Sequence, residues 1–124
     1  MAWWNKRSGD PRDLVERLSG RALGAPGSEQ TTLDDSATVQ LWLRDLGAAD
    51  QQVLVHRPWG TVAAVADGRH PVEVVMSDGE SSWTAEPPGA EGVHGLTPDQ
   101  VQHVVLDSLT STGPPEWPAW RRLV

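Results

Sequence analysis

Between residues 52 and 85 the apolar pattern repeats every second residue, and this change of period constrains the chain more than any other feature. Gln52 to Arg57, Thr61 to Ala66, Pro71 to Met76 and Ser81 to Ala85 are short runs rich in Val or small residues. Turn-forming clusters separate them: Pro58-Trp59-Gly60, Asp67-Gly68-Arg69-His70 and Ser77-Asp78-Gly79-Glu80. Connections this tight suit antiparallel neighbours, because a parallel return needs a crossover of about a dozen residues. The expected centre of the fold is therefore a four-stranded antiparallel meander. Val72, Val74 and Met76 fall on one face of their strand and Glu73 and Val75 on the other, so one side is more apolar and needs a cover.

Amphipathic helices supply that cover. Asp34 or Asp35 can cap a helix running through Leu46, in which Val39, Trp42, Leu43 and Leu46 recur at helical spacing while Gln40, Arg44 and Asp45 face outward. A C-terminal helix carries stronger signals. Thr97 is its cap, Pro98 its first residue, Gln100 completes a capping box, and Leu96 can staple against Val101. Val101, Val104, Val105 and Leu109 form its inward face, with Gly113 and the following prolines as the stop. The tail beyond, with Trp117 and Trp120, is too aromatic to stay solvated and is expected to fold back onto the domain. Near the N-terminus, Asp10, Pro11, Leu14, Val15, Leu18 and Ala22 read as a further helix, and Gly24 to Thr32 as a loop. The expected organisation is a basic helical segment over residues 1–24, a linker over 25–32 and one α+β domain over 33–124.

Charge divides unevenly along the chain. Residues 1–24 carry a net +2, residues 25–116 carry −11, and Arg121 with Arg122 return +2, giving −7 in all. An acidic body repels phosphate backbones, since nucleic-acid affinity comes largely from Lys and Arg releasing counterions, so no nucleic-acid partner is expected. The same field attracts a basic protein surface and speeds the encounter. With no cysteine, thiolate metal sites and thiol nucleophiles are excluded. No segment approaches the roughly 20 apolar residues of a membrane span, and the expected setting is cytoplasmic, without integral membrane association.

Several constellations invite chemistry. Asp99, His103 and Asp107 lie on one helical face, but the two carboxylates sit about 12 Å apart along the axis, too far to share an ion. A surface histidine flanked by acids is the simpler reading, and no metal or cofactor is expected. His56 alternates with Val55 on a strand and reads as a satisfied, half-buried histidine. No Gly-x-Ser-x-Gly elbow, phosphate-cradling glycine loop or His-Glu-x-x-His is present, so no catalytic residue is assigned and the chain is read as a non-enzyme. Of the seven tryptophans, Trp42, Trp83 and Trp120 are expected to fill the core in a chain without Phe or Tyr. Trp3 and Trp4 beside Lys6 and Arg7 could rest at a membrane interface, but seven residues bind weakly there, and a disordered or helix-docking end is the favoured reading. Trp59 differs, because it sits at a turn tip.

Val104 to Trp120, an apolar helix ending in Thr112-Gly113 with Pro115 and Trp120 beyond it, resembles the closing pattern of the deaminase-immunity family of polymorphic-toxin immunity proteins. The preceding order of a helix and an antiparallel meander is similar to theirs in outline. The resemblance implies a cytosolic protein without catalysis that protects its producer by covering a toxin's active-site cleft. Successive turns of a meander alternate ends, so Trp59, Asp78 and Glu80 project together and Asp67 projects the other way. Trp59, Asp78 and Glu80 are therefore the expected partner-binding residues, an aromatic anchor within a negative rim. Two other classes stay open: an acidic chaperone-like or sensory-regulator-like α+β protein that holds a client on its sheet face and helices, and a small-ligand-binding domain or enzyme, which would show a deep pocket with convergent polar groups.

Overall fold

The computed structural model describes residues 13–19, 27–46, 51–66, 71–89 and 96–123. Seven strands and two helices follow in the order β1 (Leu14–Ser19), β2 (Gly27–Thr32), α1 (Ser36–Asp45), β3 (Gln51–Arg57), β4 (Gly60–Ala66), β5 (Glu73–Ser77), β6 (Ser82–Glu86), α2 (Pro98–Ser108) and β7 (Ala119–Leu123). They form an α+β fold on one antiparallel sheet of order β2-β1-β3-β4-β5-β6-β7. The four expected strands are its central members β3 to β6, each within two residues of its expected bounds.

The sheet is wider than the meander because three further segments join it. Residues 14–19 are expected as part of a helix and are instead β1, paired along its whole length with β2 on one side and β3 on the other. Leu14, Val15 and Leu18 keep helical spacing, and the strand splits them between its two faces; the ladder on each side decides for the strand and places Val15 in the core with no exposed surface. The expected linker is likewise a strand, β2, at least over Gly27–Thr32. Its polar sequence suits an edge, where Glu29 and Gln30 are exposed. The anticipated division between a basic helical segment and the domain therefore falls inside one hairpin. At the opposite edge the tryptophan tail goes further than docking: Trp120 belongs to β7, which pairs with β6. Trp3, Trp4 and Asp67 lie outside the described residues.

Both helices pack on the face that carries Val15, Val53, Val55, Val62, Ala64, Val74, Met76 and Ala85. Helix α1 contributes Val39, Trp42 and Leu43, capped by Asp35, whose carboxylate accepts from the Thr38 N–H at 3.3 Å. Leu46 is only partly buried at its end. Arg17 ties the hairpin to this helix, with its guanidinium 2.7 Å from Glu29 and 5.6 Å from the Trp42 ring centre.

The expected inward face of α2 is observed in full, with Val101, Val104, Val105 and Leu109 buried. So is the capping box: Thr97 Oγ1 accepts from the Gln100 N–H at 3.2 Å and Gln100 Oε1 from the Thr97 N–H at 2.9 Å. The helix ends at Ser108 rather than running to Gly113, and a turn at Leu109 and Thr110 closes it. Thr97→Ala removes one partner of the box and is expected to cost about 1 kcal/mol, a fall of about 4 °C in thermal midpoint by calorimetry.

On the other sheet face no helix packs among the described residues, yet Leu54 and Ala63 are buried there. His56, also on that face, is buried, with Nδ1 3.2 Å from Thr61 Oγ1 and Nε2 3.1 Å from Glu16 Oε1. This is the satisfied histidine expected, though more deeply buried. Among the described residues, no helix is long and apolar enough to cross a membrane.

Candidate functional site: the acidic end of the sheet

The ladder register gathers one terminus of each of the seven strands at one end of the sheet. Leu14 stands opposite both Thr32 and His56, Arg57 opposite Gly60, Thr61 opposite Ser77, and Ser82 opposite Ser77 and Leu123. The connections beyond these termini therefore lie side by side. They carry Asp13 ahead of β1, Asp34 and Asp35 after β2, Pro58 and Trp59 between β3 and β4, and Asp78 to Ser81 between β5 and β6. Asp13, Asp34, Asp78 and Glu80 are exposed there, while Asp35 and Trp59 are half-buried.

Two of these carboxylates are fixed as anions by local hydrogen bonds. Asp78 Oδ1 accepts from the N–H groups of Glu80 and Ser81, each at 2.9 Å, closing the turn. The Ser81 and Glu80 amides hold its carboxyl below the usual carboxylate range, with a smaller contribution from Arg122. The Thr31 hydroxyl, 2.6 Å from Asp35, does the same for the helix cap, followed by the hydrogen bonds of Thr38. Because both folded values are depressed, the stabilisation is present above the usual carboxylate range and lost as the pH falls below it, through the depressed folded values. Asp78→Ala should therefore lower stability at neutral pH and converge on the parent as acid is added, measured by urea unfolding across the acid range.

Trp59 is placed differently from a free anchor. Its ring packs against the core cluster, Nε1–H donates to the Ser111 carbonyl at 3.4 Å, and the Arg57 guanidinium lies 5.9 Å from the ring centre. Arg57 in turn donates from Nε to Asp13 at 3.0 Å and from Nη1 to the Ser108 carbonyl at 2.7 Å. That second bond satisfies a carbonyl in the last turn of α2 and places a cation where the helix dipole favours it. The indole thus joins the β3–β4 turn to the segment after α2, leaving only part of its surface for a partner.

The structure brings Trp59 to the same end as Asp78 and Glu80, with the Asp78 Cα within 3.6 Å of a Cβ built on Gly60. It adds Asp13, Asp34 and Asp35. The last two are legible in the sequence only as caps, and Asp13 only once Leu14 to Ser19 is read with a period of two. Arg122 modifies the rim: Nη2 donates to Ser81 Oγ at 3.0 Å, beside a cleft of about 460 Å³ lined by Glu80, Ser81, Ser82, Arg122 and Leu123.

The remaining constellations resolve into packing. His103 meets the edge of Trp117 with ring centres 5.5 Å apart. Asp99 and Asp107 belong to no group able to hold a metal among the described residues. Trp120 Nε1–H donates to the Pro115 carbonyl at 2.9 Å, so the tail is fastened at both indoles. Comparisons with protein-family models, with curated proteins and with solved structures give no match.

Proposed function

We propose that this is a non-catalytic binding protein that docks a basic surface of a protein partner against the acidic end of its sheet. The partner we assign is a toxin whose active-site cleft the protein covers. One observation carries the docking: carboxylates from three separate connections lie along one sheet end, on either side of the turn that holds the half-buried Trp59. Charges held in place by cap and turn hydrogen bonds, as at Asp35 and Asp78, need little rearrangement to meet a cationic surface, which favours fast, salt-sensitive association. The toxin as partner rests on the resemblance of Val104 to Trp120 to immunity proteins. A client held on the sheet face opposite the two helices is less well supported, since Leu54 and Ala63 at its centre are buried and offer no apolar platform.

The decisive experiment begins with copurification and mass spectrometry to capture the partner, followed by calorimetric titration. The probes are Asp34→Lys combined with Glu80→Lys, because both side chains are exposed. Trp59 and Asp78 make poorer probes: one packs on the core and the other holds its turn together. The double variant should melt like the parent and bind at least about tenfold more weakly, with slower association at low salt. Unchanged affinity would remove the sheet end as the docking surface. A captured partner that does not arrest growth when expressed alone would remove the immunity role and leave the docking reading standing.

A further inference from the structure

We draw no further inference here: the strongest candidate, the outer edge of β7 with the adjoining cleft at Glu80 to Ser82, carries nothing, because Arg121 is engaged by Glu86, Arg122 by Ser81 beside Asp78, and nothing in the structure shows what would cover that edge.

Discussion

Val15→Asp is expected to abolish the cooperative fold. Val15 has no exposed surface and lies in the cluster that joins the sheet to both helices. An aspartate there would bury a carboxylate where the valine methyl groups stood. Burying an uncompensated charge costs about 3–5 kcal/mol even after relaxation, against a total stability of roughly 5–15 kcal/mol for an ordinary domain. The lost apolar burial adds about 2 kcal/mol more. Circular dichroism should show no sharp thermal transition, and the variant should partition into the insoluble fraction. The control is Gln30→Lys at an exposed position of the neighbouring edge strand, opposite Glu16, where the expected change is within about 0.5 kcal/mol. A native-like melt for Val15→Asp would mean that this residue is not in the core.

That contrast marks where the fold is legible in the sequence and where it is not. The central strands β3 to β6 announce themselves because each is short, alternates, and is bounded by residues suited to turns. The helices do so through caps: Asp35 and Thr97 each accept the hydrogen bonds their positions predict. The outer strands lack such marks for physical reasons. In β1 the apolar residues Leu14, Val15 and Leu18 keep helical spacing and fall on both faces of the strand, so only β3 and β2 alongside settle the choice. In β2, Gly-Ser-Glu-Gln-Thr-Thr has the composition of a loop because an edge strand has one neighbour and little apolar surface to bury. In β7, Ala-Trp-Arg-Arg-Leu follows a run of prolines and is almost wholly exposed, so pairing with β6 makes it a strand rather than any pattern of its own.

The candidate site divides in the same way. That Trp59, Asp78 and Glu80 share one end follows from the alternation of hairpin turns, which local sequence fixes. The inward role of Trp59 does not, because its partner, the Ser111 carbonyl, lies 52 residues away in a segment whose path depends on where α2 ends. The contribution of Asp13 was hidden for a related reason. Its place beside Arg57 follows from the β1–β3 register, which a helical reading of residues 10–22 removes.

Gly60→Ala is expected to cost about 3 kcal/mol, seen as an earlier midpoint in chemical denaturation, and to separate geometry from charge at the sheet end. Gly60 has φ of 153°, and a Cβ there would come within 2.7 Å of the Ser77 carbonyl oxygen. Both atoms belong to paired backbone, so neither can move without disturbing the β4–β5 ladder that begins at Thr61 and Ser77. Gly89 provides the comparison: its φ is 76° with no atom within 4 Å of an added Cβ, so Gly89→Ala should cost only the backbone term of about 1 kcal/mol. The excess at Gly60 measures how tightly the Trp59 turn is held against the start of the Asp78 turn. The substitution changes no charge, so its effect on partner affinity, corrected for the folded fraction, reports on the spacing of the two turns alone. A loss of affinity in Gly60→Ala would mean that the partner reads the shape of the sheet end, with Trp59 and the acidic turn in fixed relation. Native affinity in the folded fraction, set beside a loss in the Asp34→Lys and Glu80→Lys double variant, would mean that recognition there is carried by charge.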